Sequence, residues 1–498
     1  MSAQASVAAI VDALAASGLL VAAPRGVQDL LRGVTDDSRR VVPGGLFLAV
    51  RGTTQDGHRF IPAARAAGAA LVLAEDRALA TGGPAIIVRE GRRAAAIAAA
   101  AYYGFPARRL RLAAVTGTNG KTTTVGMIRH LMDDAEPGGR GHAASIGTLG
   151  VLLGSAGERI DAGAGLTTPG PVDLQRILHL LVDRGVASVA MEVSSHSLAQ
   201  HRVEGVEFDA AVFTNLTRDH LDYHGTMDAY LEAKLALADK LAADGVPVVN
   251  ADDRAWDALP GGRRRVTFSM TGNANVAARD VQFAPNGTSF RLVVSGEAPI
   301  SVHLPLIGDF NVANALGAAG AAIAMGIPVA TVAERLSRMP QVPGRLELVG
   351  ERPTVLRDYA HTPDALERAL TAVRPFVKGR LIAVFGAGGD RDPGKRPLMG
   401  AAAAAHADVV IVTSDNPRTE DPEKIIDAIV AAMPDGAYER IEDRRAAIRR
   451  AIAVADPERD VILLAGKGHE DYQIRGTEKL PFDESVIVPE ILRERTAL

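Results

Sequence analysis

Residues 111–132, RLAAVTGTNGKTTTVGMIRHLM, decide how this chain is read. A β-favouring run, Leu112 to Val115, enters a loop holding Gly117, Asn119, Gly120 and Lys121, and a helix-patterned segment follows at once. A phosphate cradle needs that order. Glycines let backbone N–H groups approach phosphate oxygens with no Cβ in the way, and the helix N-terminus adds partial positive charge. Lys121 reaches the outer phosphates, and Thr122 can hold Mg²⁺. The common Gly-x-x-x-x-Gly-Lys-[Ser/Thr] spacing would place glycine at 115, where this chain has valine. The loop is therefore a variant, TGTNGKTT, with a shorter glycine interval. The plain alternative is a glycine-rich turn, and the succession of strand, loop, Lys-Thr and helix weighs against it.

Working outward, 498 residues correspond to about three domains of about 150 residues, each large enough to bury its own core. Apolar residues make up 47% and charged residues 23%, which fits a globular protein rather than a disordered one. A formal net charge of −4 leaves no basic excess for coating nucleic acid. Cysteine is absent. That excludes disulfides, zinc–thiolate sites, iron–sulfur clusters and a thiol nucleophile, and it suits a reducing compartment. The apolar start MSAQASVAAIVDALAASGLLVAAP has no Lys or Arg before Arg25, and Asp12 interrupts it, so an amphipathic first helix is expected rather than a signal peptide. No stretch reaches about 18 uninterrupted apolar residues, so no membrane span is expected and the expected location is the cytoplasm.

The first hundred residues alternate short apolar runs (LFLAV, ALVLA, AIIVRE) with Ala-rich helical stretches, an α/β pattern. Asp36, Asp37, Ser38 and Arg39 form a polar cluster before a turn and strand, either a binding element or a capped turn. YYGFPARRLRL, residues 102–112, reads as a linker.

In the middle region, Val186 to Val193 reads as a buried strand that delivers Glu192, Ser194, Ser195 and His196 to its carboxyl end. Ligands of open α/β sheets sit at that end. A second strand through Val212 and Phe213 delivers Asn215, Asp219, His220, Asp222 and His224. Glu192 and His220 are thus expected near the phosphate loop as ligands for Mg²⁺ or Mn²⁺. TMDAYLEAKLALADKLAADG, residues 226–245, is expected as one amphipathic helix, with Lys234 an ordinary solvated lysine by pattern. Asn311 and Asn314 share a helix face, to bind a purine edge or to cap the helix.

MPQVPGRLELV, residues 339–349, separates the last third, in which every strand-like run ends in a polar cluster. Gly386 and Gly388 suggest a dinucleotide fingerprint, yet its third glycine would fall at Arg391, which excludes a nicotinamide site. Arg391, Asp392, Lys395 and Arg396 form one charged loop, Asp415 to Arg418 a second, and Gly466 to Glu470 a third. Arginine with nearby carboxylates suits a zwitterionic amino acid: the guanidinium grips a carboxylate bidentately, and the acids take the ammonium. No Gly-x-Ser-x-Gly elbow appears. Activation of a carboxylate by the γ-phosphoryl group of ATP, followed by amine attack on the acyl phosphate, accounts for these parts.

TGTNGKTT, MEVSSH, TNLTRDHLDYHG, YLEAK, GDFNVANAL, DYAHTPDAL, GAGGDRDPGKRP, DNPR and GKGHE occur in this order, and the set resembles the Mur ligases from about residue 35 to 470. It is most similar to the members that join meso-2,6-diaminopimelate to UDP-N-acetylmuramoyl-L-alanyl-D-glutamate in peptidoglycan synthesis. The resemblance implies a monomer using ATP and Mg²⁺, with three α/β domains. These are a UDP-substrate domain at 1–108, a central P-loop ATPase-like parallel sheet at 109–342, and a Rossmann-like amino-acid domain at 343–498.

Carried over by motif, Ser38, Thr53, Thr54 and Gln55 would meet the uridine nucleotide, and Thr167, Thr168, Ser194, Gln200 and Arg202 the muramoyl dipeptide. Gly117, Thr118, Asn119, Gly120, Lys121, Thr122 and Thr123 would cradle ATP, with Asn311, Arg345 and His361 near the nucleotide. Thr122, Glu192 and His220 would serve magnesium, joined by Lys234, which in this family is carboxylated to a carbamate. Arg391, Asp415, Asn416, Pro417, Arg418, Gly466 and Glu470 would bind diaminopimelate. Leu166 stands where some members carry Asn before the Thr pair. A lysine-adding sister enzyme and folylpolyglutamate synthase share the phosphate loop, but DNPR and the N-terminal domain argue against both. A non-enzymatic ATP-binding regulator on this scaffold would be expected to have lost Lys121, Glu192, His220 or Lys234, and none is missing.

Overall fold

Ser6 starts the first helix, Val7–Ala16, by accepting the Ala9 amide at 3.1 Å, and the helix buries Ile10 and Leu14 as its amphipathic pattern predicts. The computed structural model describes residues 5–26, 30–52, 55–134, 139–162, 166–284 and 286–496. They fall into two compact units, Met1–Ala278 with Leu292–Ile300 and Ala313–Arg335, and Arg279–Arg291 with Ser301–Val312 and Leu336–Leu498. Among the described residues no helix is long and apolar enough to cross a membrane.

The first unit carries a five-stranded sheet of β1 (Leu20–Ala22), β2 (Val34–Thr35), β3 (Leu46–Leu48), β4 (Leu71–Ala74) and β5 (Ala85–Val88), in the order β1-β5-β4-β3-β2. The runs LFL and LVLA are buried at every position, as in parallel strands covered on both faces. The Ala-rich helix Gly91–Tyr102 packs on this sheet, and Val172 of the helix Pro171–Asp183 joins the same core.

The larger sheet of this unit is built on β6 (Arg111–Thr116), β7 (His142–Gly147), β8 (Gly150–Leu153), β9 (Glu158–Ile160), β10 (Val186–Glu192), β11 (Phe208–Phe213), β12 (Leu241–Asn250) and β13 (Val266–Ser269). These strands run in the order β9-β8-β7-β10-β6-β11-β12-β13, with only β8 and β9 antiparallel to their neighbours. β6 lies at the centre. Val115 pairs with Glu192 on one side and Val212 on the other, so Gly117, Val193 and Thr214 emerge together at the carboxyl edge.

The segment 226–245 departs from the expected single helix. A helix spans Met227–Leu235, a 3-10 turn covers Ala236–Lys240, and β12 begins at Leu241. The i,i+4 leucine pairs Leu231/Leu235 and Leu237/Leu241 run into Val246-Pro247-Val248-Val249, whose β-branched residues pair in parallel with Ala210 to Phe213. A Cβ on Gly245 would approach the Phe208 carbonyl to 2.6 Å, so glycine lets the strand close against β11. Tertiary pairing overrides the local helical pattern.

The second unit contains a six-stranded sheet: β14 (Glu347–Glu351), β15 (Thr354–Asp358), β16 (Leu381–Phe385), β17 (Val409–Val412), β18 (Glu439–Arg440) and β19 (Val461–Ala465). Their order is β14-β15-β19-β16-β17-β18, parallel except for β14. Phe385 pairs with Ala465 and Val412, which aligns the loops beginning at Gly386, Thr413 and Gly466 along one edge. A hairpin follows, β20 (Tyr472–Arg475) and β21 (Glu478–Pro481). Beneath, Arg444 and Glu484 form a fully buried ion pair at 2.8 Å.

Candidate active site

The loop after β6 is held open by its neighbour after β11. Thr118 donates its amide to the Asn215 carbonyl at 2.7 Å, and Asn119 donates its amide to Asn215 Oδ1 at 2.9 Å. Thr214 Oγ1 and Asn215 Nδ2 donate to the Asn119 carbonyl at 2.7 and 3.2 Å. Gly117 has φ +142°, and a Cβ there would run into Thr214 Oγ1. Gly120 has φ +85°, and a Cβ there would run into Asn314 Oδ1. Both glycines are therefore demanded by backbone and neighbours alike. Helix Lys121–Met132 starts immediately, presenting its N-terminus to the loop. This is a cradle that fits a polyphosphate.

Two lysines converge on one carbonyl of this loop. Lys121 Nζ donates to Gly117 O at 2.9 Å and Thr118 O at 2.8 Å, and Lys234 Nζ donates to Gly117 O at 2.8 Å. Lys234 is 1% exposed and lies 4.4 Å above the Tyr230 ring. Burial, and then the charge of Lys121, push its pKa well below the usual lysine range. It is thus no ordinary solvated lysine. Tyr230 fixes the arrangement, its hydroxyl 3.2 Å from Thr118 Oγ1.

The residues expected around magnesium are distributed as follows. Thr122 is buried at the start of the helix. Glu192 is buried and accepts from Thr148, from the amide at 2.8 Å and from Oγ1 at 3.2 Å. His220 has φ +53° and an Asp219 oxygen 3.5 Å from Nε2. Its pKa is lowered, first by burial, with Lys121 and Lys234 acting in the same direction against Asp219. Among the described residues, no three His, Asp or Glu side chains form a ready metal-ligating group. Thr122 and Glu192 offer the hard oxygen donors that Mg²⁺ takes, and His220 offers a ring nitrogen beside them in the expected set.

Beside His220 lies an aromatic cluster. His196 stands 4.8 Å from His220, 5.4 Å from His224 and 4.3 Å from Tyr223. Tyr223 leads into the residues expected at the muramoyl dipeptide: Gln200 Nε2 donates to its hydroxyl at 3.2 Å, and Arg202 donates to Gln200 Oε1 at 2.7 Å and to Thr168 O at 2.9 Å. Thr168 Oγ1 donates to Glu192 O at 2.9 Å and accepts the Ser194 amide at 3.1 Å, while Thr167 Oγ1 is 3.3 Å from Thr148 Oγ1. Thr167, Thr168, Ser194, Gln200 and Arg202 are therefore one connected patch. Leu166 stays exposed. Ser38 lies in a 3-10 turn that Asp37 caps at 3.0 Å, so the capped-turn alternative describes the conformation of this cluster. Gln55 accepts the Gly52 amide at 2.8 Å; Thr53 and Thr54 lie outside the described residues.

In the second unit, Asn311 Nδ2 donates to Ile307 O at 2.7 Å. Arg345 lies over the Tyr359 ring at 4.9 Å, with the His361 ring 4.7 Å from the same tyrosine. Along the sheet edge, Arg418 adopts φ +52°, donates its amide to Ile474 O at 3.1 Å, and places Nη1 2.7 Å from Gly389 O. Glu420 is engaged by Arg396 at 2.8 Å, and Asp421 caps the next helix. Asn416 donates to Glu470 Oε2 at 2.7 Å, and a Cβ on Gly466 would meet Asp415 Oδ2 at 2.5 Å. That Asp415 oxygen is buried and has no hydrogen-bond partner, which fits an ammonium ligand. Arg391 remains at the loop surface, donating to Asp390 O at 3.3 Å. Asn215, Tyr230 and Tyr359 stand inside recognised motifs without an expected role, whereas nothing in the sequence signals Thr148 or the contact of Asn314 with the loop.

The first unit thus carries a phosphate cradle on a parallel sheet, and the second a carboxylate- and guanidinium-lined sheet edge; each by itself fits the parts of a nucleotide-dependent ligase of α/β build. Family models agree: "Mur ligase family, catalytic domain" matches residues 31–114, "Mur ligase middle domain" 115–322, and "Mur ligase, glutamate ligase domain" 344–468. The chain belongs to the Mur ligase family. UDP-N-acetylmuramoyl-L-alanyl-D-glutamate–2,6-diaminopimelate ligase of Synechococcus elongatus is 46% identical over 470 residues, covering 91% of this chain and 92% of that one. The enzyme of the same name from Gloeobacter violaceus is 45% identical over 480 residues, covering 95% and 96%. A solved structure of an enzyme of that name superposes with a TM-score of 0.68 at 34% identity, covering 94% of this chain and 96% of the other.

Proposed function

We propose that this chain is an ATP-dependent amide ligase that joins meso-2,6-diaminopimelate to UDP-N-acetylmuramoyl-L-alanyl-D-glutamate in the cytoplasm, during peptidoglycan synthesis. The observation that carries the choice of amino acid is Arg418. Its guanidinium is fixed by Gly389 and not by either acid that follows it, so it can present a fork to the distal carboxylate that distinguishes diaminopimelate from lysine.

Gly117 to Thr123 hold the triphosphate, and Lys121 offsets charge that spreads over the transferring phosphoryl group. Thr122, Glu192, His220 and carboxylated Lys234 would hold magnesium, which when bound would supply charge neutralisation at the phosphates. Lys234 reaches its anionic form when its neutral amine adds CO₂, forming an N–C bond and releasing one proton. Thr167, Thr168, Ser194, Gln200 and Arg202 orient the muramoyl dipeptide so that a glutamyl carboxylate oxygen attacks the γ-phosphorus, giving an acyl phosphate and ADP. Asp415 and Glu470 hold an ammonium end of diaminopimelate. Its reacting amine, once neutral, attacks the acyl carbon, the C–N bond forms, phosphate leaves, and a proton is released. Residues 1–108, 109–342 and 343–498 divide these tasks among uridine nucleotide, ATP and amino acid, and a monomer contains every residue named.

The test is mass analysis of the product from purified chain, ATP, Mg²⁺, the UDP-dipeptide and diaminopimelate. A product heavier by one diaminopimelate residue, with one phosphate released per product, is expected. Phosphate release with no ligated product would overturn the reading.

A further inference from the structure

Lys467 is completely buried, an unusual place for an ammonium group. Its Nζ lies 3.3 Å from Asn416 Oδ1 and 3.4 Å from Glu470 Oε2, with the rings of Tyr472 and Phe482 5.8 and 5.9 Å away. Asn416 completes a triangle: its Nδ2 donates to the same Glu470 Oε2 at 2.7 Å, and its Oδ1 also accepts the Ile474 amide at 2.9 Å. Both contacts to Glu470 therefore fall on Oε2, which leaves Oε1 as the oxygen with which this carboxylate can accept from a ligand. Burying a lone ammonium is costly, and an apolar side chain of similar volume would serve the core as well or better. Packing does not account for a lysine here; the geometry of Glu470 does.

We propose that Lys467 is a positioning residue for amino-acid selection, clamping Asn416 and Glu470 so that Glu470 Oε1 meets the substrate ammonium. It acts through Glu470 and touches no reacting atom. The assignment rests on the reading of this edge as the diaminopimelate site, and it predicts a specific kinetic signature. Without the clamp, Glu470 retains its charge but loses one of two fixed contacts, so the damage falls on binding of the amino acid rather than on phosphoryl transfer.

The test is a double-mutant cycle in the full chain, with KM for diaminopimelate as readout. Lys467→Met should raise that KM by about tenfold or more, the size of one charge-assisted contact. KM for ATP, and kcat at saturating diaminopimelate, should stay within about twofold of wild type. Glu470→Gln should also raise KM for diaminopimelate, and adding it to Lys467→Met should cost little more, because both remove the same interaction. If Lys467→Met does not fold, Lys467→Gln replaces it; a neutral donor is expected to give a smaller rise in KM and the same non-additivity. Effects of Lys467 and Glu470 that multiply, or a KM unchanged in the folded Lys467 variant, would overturn the assignment while wild-type ligation upholds the functional reading. A wild-type chain that ligates no diamino acid would overturn both.

Discussion

The loop after β6 and the loop after β17 both leave the carboxyl end of a parallel strand, and they are built in opposite ways. The first is a backbone device: glycines at φ +142° and +85°, carbonyls and amides tied to Asn215, and two lysines on one carbonyl. The second is a side-chain device, in which Asp415, Asn416 and Arg418 are held by the β20–β21 hairpin through Gln473 and Ile474. Backbone dipoles grip any phosphate chain, since every nucleotide offers the same oxygens. Fixed carboxylates and a guanidinium read one zwitterion. Under the proposed function, transfer falls to the first loop and choice of amino acid to the second.

The largest effect should come from the transfer loop. Lys121→Ala should lower kcat by on the order of 10²–10³-fold or more while KM for diaminopimelate stays near wild type. A folded variant with wild-type kcat would break the comparison. Lys234→Ala should be nearly inactive, and added acetate or bicarbonate should restore part of the rate by supplying an anion. Full activity without any additive would remove Lys234 from the chemistry.

A subtler change should sharpen the contrast. A Cβ on Gly388 would lie 2.9 Å from Arg418 Nη1, at the end of a flexible side chain. Gly388→Ala should therefore displace the guanidinium without removing its charge, raising KM for diaminopimelate several-fold and leaving kcat unchanged. An equal change in KM for ATP would show that the two loops are not separable in this way.

The smallest kinetic effect is expected away from both loops. Glu204 accepts from Lys240 at 2.7 Å and lies 3.3 Å from Arg93 and 3.7 Å from His201. His201 first, then Lys240 and Arg93, hold its pKa at about 2 against burial. Because the folded value lies below the ordinary glutamate value, this stabilisation is complete above about pH 4.5 and is lost as pH falls through about 2. Glu204→Gln should lower stability at pH 7 by up to about 3 kcal/mol, less at pH 3, with KM values unchanged. Denaturant melts at both pH values check this, and a pH-independent difference would contradict it.

The sequence reveals the strand–loop–helix at 111–132 and the polar ends of β10, β11, β16, β17 and β19, because buried parallel strands are continuous apolar runs and their ends carry the chemistry. It does not show where the helix of 227–235 stops, since the leucine spacing continues into residues whose extended form is fixed by pairing with β11 and β13. Nor does pattern alone expose Lys234: Tyr230 is its neighbour one helical turn away, but its burial also needs Gly117, which chain folding brings to it. The turn at Thr148, reached from β7, carries no local mark of the carboxylate it will receive.

The most direct test of this division of labour is the ratio of kcat/KM for diaminopimelate to kcat/KM for lysine, in wild type and in Arg418→Ala. A charge-assisted pair of about 1.5–3 kcal/mol predicts that the ratio collapses by roughly 10- to 150-fold in the variant, with KM for ATP and the UDP-dipeptide little changed. A ratio that stays at the wild-type value in a folded Arg418→Ala protein would contradict the account and move the choice of amino acid to Arg391 or Glu470.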